Sequence, residues 1–357
     1  MSKKALIAMS GGVDSSVTAY LMKERGFDSI GVTMKLFDND DIGIETEKSC
    51  CSADDVSDAR EVCHRLLMPH YVYNLADDFR DEVIGRFIRS YIEGATPNPC
   101  INCNRYMKFD KLFLRAKQLQ MNYIVTGHYA RVHRDEMNGR FLLKKAVDSH
   151  KDQSYVLYSM TQEQLASTIF PLGELCKTEV RKIAAEQGFI NAAKRDSQDI
   201  CFVKGNDYAG FIEQYTGKTY EHGDFVDVKG NILGKHKGLI RYTIGQRKGL
   251  GVAFGKPMYV CAKNIENNTV TLCDDSELYT KSLHAADFNW VAYDKVSEPI
   301  RIKAKIRYNH TEQWATAEQI SEDTVHIEFD QPQRAIAKGQ AVVLYDGDIV
   351  VGGGTII

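Results

Sequence analysis

The feature that most constrains this chain is a glycine-containing turn, Ser10–Ser16, placed between a strand-like and a helix-like segment. The apolar run Lys4–Met9 favours a short strand, and Val13–Arg25 has the apolar spacing of a helix that stops at Gly26. Two glycines let the backbone approach a ligand closely, and free N–H groups at a helix start attract an anion. The turn has neither the Walker A pattern nor the G-x-G-x-x-G pattern. We therefore predict a phosphate-binding turn that is not of the GTPase type, with a simple capped turn as the alternative.

Strand-like and helix-like segments continue to alternate through the first 130 residues. The strand-like ones after the turn are Ile30–Met34, Tyr71–Leu75 and Tyr123–Thr126, and the helix-like ones are Ser52–Leu67, capped by Ser52, and Asp77–Tyr91. This alternation predicts an α/β fold, a doubly wound parallel sheet with helices on both faces and ligands at the carboxyl ends of the strands. Helical signals then continue to about Gly188, with Thr178 as the predicted cap of the last helix.

The texture of the sequence changes after about residue 205. Residues 220–275 are rich in glycine, and alternating stretches such as Ile300–Tyr308 and Ala341–Tyr345 dominate from about residue 280 onward. We predict three domains: residues 1–205 form the α/β nucleotide-binding domain, residues 206–275 a small central α+β domain, and residues 276–357 a C-terminal β-barrel.

Composition limits the class of protein more weakly than the turn does. The formal net charge of −3 does not indicate a nucleic-acid-binding chain, but residues 235–263 carry seven Lys or Arg and no acid, and Pro299–His310 carries four more. Such stretches neutralise phosphates, although a solvated basic face is the plainer interpretation. No run of about 18 apolar residues exists, and the apolar stretch Ala5–Met9 is too short for a signal peptide. We therefore expect a cytoplasmic protein with no membrane partner.

The chain has nine cysteines, an odd number that argues against a structural disulfide framework. Cys100 and Cys103 have C-x-x-C spacing, which fits a redox pair, half of a zinc site or ligands of an iron–sulfur cluster. Within Asp196–Phe202, a polar and acidic run precedes Cys201, and this run favours a loop over a buried strand. We interpret three further cysteines as packing residues and leave the pair Cys50-Cys51 open; the three are Cys176, Cys261 and Cys273.

Six blocks in order resemble the tRNA-specific 2-thiouridylases (MnmA/TrmU), a family of the PP-loop ATP pyrophosphatase superfamily. The blocks are Ser10–Ser16, Thr96–Pro99 with Cys103-Asn104, Thr126–Ala130, Lys151–Tyr155, Asp196–Phe202 and Arg241–Gly251. The resemblance covers essentially the whole chain. It implies a uridine-C2 thiolation at the wobble position of tRNA, with the base adenylated by ATP and sulfur transferred from a cysteine persulfide. It also implies tRNA contacts in the central domain, release of AMP and pyrophosphate, and Mg²⁺ as a cofactor.

The same resemblance implies roles for individual residues. Cys201 corresponds to the persulfide carrier, and Cys103 to the partner thiol that releases the sulfur and then forms a disulfide with it. The residues that correspond to ATP-binding positions are Ala8, Met9, Ser10, Gly11, Gly12, Val13, Asp14, Ser15, Met34 and Gly127. The residues that correspond to tRNA-binding positions are Asn98, Pro99, Cys100, Lys151, Asp152, Gln153, Arg307 and Tyr308. Asp14 is also a candidate metal ligand.

The sequence departs from the family pattern at Cys100, where many members carry an aspartate proposed as a general acid or base. Cys100, Cys103 and Cys201 therefore suggest an alternative in which three thiols hold a 4Fe–4S cluster that binds sulfide. The neutral interpretation of Cys100 is a family variant with no redox role.

Partners and rival functions follow from the same resemblance. We expect a persulfide-carrying sulfur-relay protein as donor and the Lys, Glu and Gln tRNAs as the first candidate substrates. The rival functions are another PP-loop ligase, a tRNA 2-thiocytidine enzyme, and a non-catalytic RNA-binding module with a vestigial nucleotide fold.

Overall fold

The structure, a computed structural model, describes residues 3–37, 53–196, 200–252 and 255–357. The predicted cap at Ser52, the pair Cys50-Cys51 and residues 197–199 lie outside the described residues. Within the described part, the strands in chain order are β1 Lys4–Ala8, β2 Asp28–Lys35, β3 His70–Asn74, β4 Tyr123–Val125, β5 Ala130–Arg134, β6 Phe141–Lys145, β7 Thr168–Ile169, β8 Gly223–Val226, β9 Ile232–His236, β10 Tyr259–Asn264, β11 Thr269–Cys273, β12 Tyr279–Trp290, β13 Ile300–Lys305, β14 Gln313–Gln319, β15 Val325–Arg334, β16 Ala341–Asp346 and β17 Ile349–Ile356.

The helices include two long composite ones that contain π-helical segments. Helix α3 consists of Ala76–Phe79, π-helical Arg80–Gly85 and Arg86–Ile92, and helix α4 of Pro99–Asn102, π-helical Cys103–Leu112 and Phe113–Gln118. The others are α1 Val13–Glu24, α2 Ala53–Arg65, α5 Gln162–Ala166, α6 Lys177–Glu186 and α7 Tyr208–Thr216. π-Helical turns are uncommon and concentrate at functional sites, and the one in α4 begins at Cys103.

Five parallel strands form the first sheet, in the order β3-β2-β1-β4-β7. Alternate residues of β1 point to opposite faces: Leu6 joins a core cluster with Phe109 of α4, whereas Ile7 joins one with Val17 of α1. Both faces of the sheet are therefore covered, and the predicted doubly wound parallel sheet is confirmed.

The prediction of helix through to Gly188 is wrong between residues 130 and 145. Strands β5 and β6 form an antiparallel hairpin there, with Gly139 at φ +75° in the connection. Lys144 of β6 pairs with Ile349 of β17, so the hairpin extends the sheet of the C-terminal domain. The predicted cap is also wrong, because α6 begins after Cys176, whose N–H donates to the Glu179 carboxylate at 2.7 Å.

The central segment combines α7 with a sheet of order β10-β11-β8-β9. Tyr242 is buried in its core and packs edge-on against Phe225 with centroids 5.2 Å apart, so this aromatic is a core residue and not a base-stacking surface. The basic stretch 235–263 is partly neutralised by acids, since Lys235, Arg241 and Lys256 each form an ion pair.

Six antiparallel strands form the C-terminal barrel, in the order β12-β15-β14-β13-β16-β17, and pairing of β12 with β17 closes it. The β-barrel prediction is therefore confirmed. Among the described residues, no helix is long and apolar enough to cross a membrane.

Candidate active site

The turn between β1 and α1 has a backbone that requires glycine at position 11. Gly11 has φ +72°, and a Cβ there would lie 2.3 Å from the carbonyl oxygen of Asp55 in α2. Such a distance is far below van der Waals contact, so any larger residue would push the turn away from α2. Helix α1 then starts at Val13 without a side-chain cap, which leaves N–H groups at its first turn for an anion.

The serine hydroxyls of the turn are engaged within the turn itself. The Ser15 hydroxyl donates to the Gly12 carbonyl at 2.9 Å and accepts the Ser10 N–H at 3.2 Å. Ser16 also donates to the Gly12 carbonyl, at 3.1 Å. Ser15 and Ser16 are buried whereas Ser10 is exposed, so Ser10 is the hydroxyl that faces outward.

Two residues that sequence reasoning missed hold the Gly11 carbonyl. Asn191 donates to it at 2.9 Å and to the Ser16 hydroxyl at 2.9 Å, and Lys194 approaches it at 3.3 Å. Lys194 also lies 2.6 Å from both Asp55 and Asp58 of α2. Burial lowers the pKa of Lys194 but hydrogen bonds to these two carboxylates outweigh it and raise the pKa, so the lysine remains a cation that ties α2 to the turn.

Asp14 in the first turn of α1 is bound by two residues from distant segments. Lys177 donates to its carboxylate oxygens at 2.7 and 2.8 Å, and the Tyr129 hydroxyl donates at 2.8 Å. Lys177 is also 2.9 Å from Asp196. A lysine in the first turn of a helix opposes the helix dipole, and that mismatch at the start of α6 is the signal that could have identified Lys177 from the sequence.

This arrangement bears on the metal hypothesis. Both Asp14 oxygens face an ammonium, and no group of three or more His, Cys, Asp or Glu side chains that could hold a metal ion occurs among the described residues. Asp14 is therefore an ion-pair partner of Lys177, and its role as a metal ligand stays a prediction.

Gly127 at the carboxyl end of β4 touches the same turn. A Cβ on Gly127 would lie 3.0 Å from the Asp14 carbonyl carbon, so the Gly127 backbone is packed against the start of α1. The next residue, His128, is buried and contacts the Thr126 hydroxyl through Nδ1 at 2.7 Å and Lys108 Nζ through Nε2 at 3.2 Å. Burial, with the nearby charge of Lys108, holds the pKa of His128 well below its ordinary value.

The predicted base-binding loop leads into α4 and is anchored by the barrel. The Asn98 side chain accepts the Cys100 N–H at 3.1 Å as the helix cap, with Pro99 at the first helical position. Upstream, the Thr96 N–H donates to the Lys338 carbonyl at 2.8 Å, and Gln340 donates to the Thr96 carbonyl at 2.7 Å. Two domains therefore fix the position of this loop.

A cavity of about 250 Å³ lies beside the same loop, between α3, α4 and the barrel. Asn98 and Asn102 line it together with Arg86, Arg89 and Arg105. Arg105 forms an ion pair with Asp287 of β12, which ties α4 to the barrel.

Cys103 and Cys201 come from segments almost one hundred residues apart and pack against one hydrophobic cluster. That cluster contains Met107 and Phe202 in its buried core, and Met34, Cys103 and Cys201 border it as partly buried residues. Cys100 is exposed. Burial raises the pKa of Tyr308, and the neighbouring Asp152 and Cys100 act in the same direction. The structure does not gather the three thiols as a metal-binding group, and the iron–sulfur cluster stays a prediction.

The residues predicted to bind tRNA belong to three segments, 98–100, 151–153 and 307–308, and the last two of these are in contact. The Tyr308 hydroxyl donates to the Asp152 carbonyl at 3.1 Å, and Lys305 lies over the Tyr308 ring at 5.6 Å from its centroid. Lys151 forms an ion pair with Asp196 at 2.7 Å, and Gln153 accepts the Tyr129 N–H at 3.0 Å. Arg307 donates to the Arg334 carbonyl at 3.3 Å.

Comparison with protein families divides the chain into three matches. Residues 3–205 match the tRNA methyl transferase HUP domain, residues 209–274 the tRNA methyl transferase PRC-barrel domain, and residues 280–356 the aminomethyltransferase β-barrel domain. Together with the parallel sheet and the uncapped turn before α1, these matches define a three-domain protein of the HUP class.

Similar full-length proteins narrow that class. The chain is 54% identical over 356 residues to the tRNA-specific 2-thiouridylase MnmA of Clostridioides difficile, covering 100% of this chain and 98% of the relative. It is 51% identical to the protein of the same name from Acetivibrio thermocellus, covering 99% of each chain. The chain belongs to the tRNA-specific 2-thiouridylase family.

Proposed function

We propose that this chain is a tRNA-uridine 2-sulfurtransferase that adenylates the wobble uridine with ATP and then replaces its O2 with sulfur carried on Cys201. The observation that supports this most strongly is that Cys103 and Cys201 border one cluster together with Met34. Met34 is the last residue but one of β2, the strand next to β1, so the two thiols lie near the edge of the sheet where β1 leads into the turn at residues 10–16.

The first step activates the base, because the C2 carbonyl of uracil is a poor electrophile and its oxygen a poor leaving group. The O2 atom attacks the α-phosphorus of ATP, the bond to the bridging oxygen of pyrophosphate breaks, and the base loses the N3 proton. Backbone N–H groups of residues 11–15 bind the phosphates, since the start of α1 is uncapped and Gly11 permits close approach. Magnesium would accompany the triphosphate and offset its negative charge.

The second step transfers the sulfur. The terminal sulfur of a Cys201 persulfide attacks C2, the C2–O2 bond breaks, and AMP leaves with O2. The Cys103 thiolate then attacks Cys201 Sγ and breaks the sulfur–sulfur bond, whose electron pair passes to the sulfur on C2. The products are 2-thiouridine, AMP and a Cys103–Cys201 disulfide, which an external dithiol must reduce before the next cycle.

The tRNA would approach along the junction of the first domain and the barrel. The wobble base has to leave the anticodon stack to reach Asn98–Cys100, and this loop is anchored by Lys338 and Gln340 of the barrel. Arg89 beside the loop would supply positive charge for the phosphates next to the flipped base, whereas Arg86 and Arg105 are paired with Glu82 and Asp287. The contact between Tyr308 and Asp152 would set the spacing between two of the three predicted tRNA-binding segments, 151–153 and 307–308.

Two parts of the proposal concern partners. Cys201 follows the polar segment 196–200 and is partly exposed, which suits delivery of a persulfide sulfur by a separate carrier protein. The Lys, Glu and Gln tRNAs are the first substrates to test.

The cluster alternative predicts iron in anaerobically purified protein and thiolation from free sulfide.

The test is reconstitution with anticodon-loop tRNA, ATP, Mg²⁺ and a persulfide donor, followed by nucleoside mass spectrometry. Wild-type protein should form 2-thiouridine with one AMP per modified base, and Cys201→Ala and Cys103→Ala should form none while still releasing pyrophosphate. Cys176→Ala is the matched control, because this cysteine caps α6 and does not border the hydrophobic cluster that Cys103 and Cys201 share. Normal thiolation by Cys201→Ala from the persulfide donor would show that the sulfur takes another route.

A further inference from the structure

Lys108 lies on α4, the helix that carries Cys103, and its ammonium contacts the residue that follows Gly127. It follows Cys103 by five residues within the π-helical segment of α4, so both side chains leave the same side of the helix. Its ammonium contacts His128 Nε2 at 3.2 Å. His128 directly follows Gly127, whose backbone packs against Asp14 of the turn.

The proton inventory of this contact is fixed by simple chemistry. An ammonium group has only N–H donors, so Nε2 of His128 accepts. The ring proton therefore resides on Nδ1 and donates to the Thr126 hydroxyl at 2.7 Å. The ring is neutral, walled by Phe109 and by Phe170 at 5.8 Å between centroids, and the positive charge remains on Lys108.

Lys108 forms no ion pair with any carboxylate in the described ranges, although it is partly buried. Lys111, one turn further along the same helix, is bound to Asp78 at 2.7 Å. A partly desolvated cation whose protein partner is a neutral imidazole retains most of its charge for an anionic ligand.

We propose that Lys108 is a catalytic residue whose ammonium contacts the α-phosphate of the bound nucleotide, and that His128 is the positioning residue that aims it. This proposal rests on the proposed function, since it names a residue for the adenylation step. The charge of Lys108 stabilises the negative charge on the α-phosphate oxygens as O2 attacks the phosphorus. It then stabilises the charge on the AMP that leaves C2 as sulfur arrives. Because α4 also carries Cys103, one helix would supply both the phosphate ligand and the thiol.

Ligand binding separates this role from a structural one. Calorimetric titration of the full chain with AMP and with adenosine measures the contribution of the phosphate alone. Wild-type protein should bind AMP at least tenfold more tightly than adenosine. Lys108→Met and Lys108→Gln should lose that preference while their affinity for adenosine is unchanged, and Lys108→Arg should retain part of it.

Lys111→Met is the matched control, because it removes a lysine of the same helix whose ion pair is exposed, and it should keep the AMP preference. His128→Phe should weaken AMP binding less than Lys108→Met does, and it should lower kcat for pyrophosphate release by tenfold or more while leaving the KM for tRNA unchanged.

Two outcomes would overturn the assignment of Lys108. One is an AMP preference in Lys108→Met and Lys108→Gln equal to that of wild type. The other is an equal loss of AMP and adenosine binding by these two variants when they are folded. Failure of wild-type protein to bind either ligand or ATP would instead contradict the proposed function.

Discussion

Lys177 places its ammonium 2.7 and 2.8 Å from the two carboxylate oxygens of Asp14, although 162 residues separate them in the chain. The lysine side chain is 10% exposed, so most of this ion pair is shielded from water. The same ammonium lies 2.9 Å from Asp196, which begins the segment that leads to Cys201. One cation therefore links the first turn of α1 to the segment that leads to Cys201.

Replacing Lys177 with methionine should leave the Asp14 carboxylate without a cation, while Asp196 keeps its ion pairs with Lys151 and Arg181. We expect the free energy of unfolding to fall by about 2 kcal/mol, the usual effect of leaving a partly buried charged group unpaired, and ATP-dependent pyrophosphate release to fall with it. Urea unfolding measures the first effect. The double variant Lys177→Met with Asp14→Asn should recover part of the lost stability, and a double variant less stable than the single one would contradict this account.

Gly11 should tolerate no side chain. In Gly11→Ala the new Cβ would meet the Asp55 carbonyl, which lies 2.3 Å from the ideal Cβ position. We expect a loss of about 3 kcal/mol from crowding and a positive φ together, with ATP binding abolished. Gly26→Ala is the matched control, because Gly26 has φ +75° and no atom within 4 Å of its ideal Cβ. It should lose only about 1 kcal/mol and keep ATP binding, and equal losses in both variants would exclude the clash as the cause.

His128 should make stability depend on pH below neutrality. Because burial holds the pKa of His128 well below its ordinary value, the unfolded chain takes up this proton at a higher pH than the native chain. The contribution of the neutral ring is complete above about pH 6.5 and is lost, at up to about 1.4 kcal/mol per pH unit, as the pH falls below that value. Urea unfolding at pH 7.5 and 5.5 should therefore show a smaller loss for His128→Asn than for wild type. An equal loss in both proteins would mean that His128 titrates alike in the native and unfolded states.

The parallel sheet could be predicted because its strands are short apolar runs separated by amphipathic segments, a pattern local to each element. The hairpin β5–β6 contradicts the prediction that helical segments continue to about Gly188. Asn138-Gly139 is the turn signal that could have found it, since this dipeptide favours hairpin connections. Its pairing partner, Ile349, is distant in the chain, so its place beside the barrel is a tertiary feature that no local pattern contains.

The candidate site divides in the same way. The turn at residues 10–16 could be found from its own residues. Its supporting partners could not, because Lys177, Asn191 and Lys194 reach it from more than 150 residues away. The pairing of Cys103 with Cys201 likewise follows only from family resemblance, and the structure shows that both residues border one hydrophobic cluster.

The most direct test of the account is the state of the two thiols after a single turnover. Persulfidated protein would be mixed with ATP and substoichiometric tRNA without reductant, quenched with an alkylating reagent, digested and analysed by mass spectrometry. The account predicts one Cys103–Cys201 disulfide for each 2-thiouridine formed, with Cys100 alkylated. Formation of 2-thiouridine with Cys103 and Cys201 both alkylated as free thiols would contradict it.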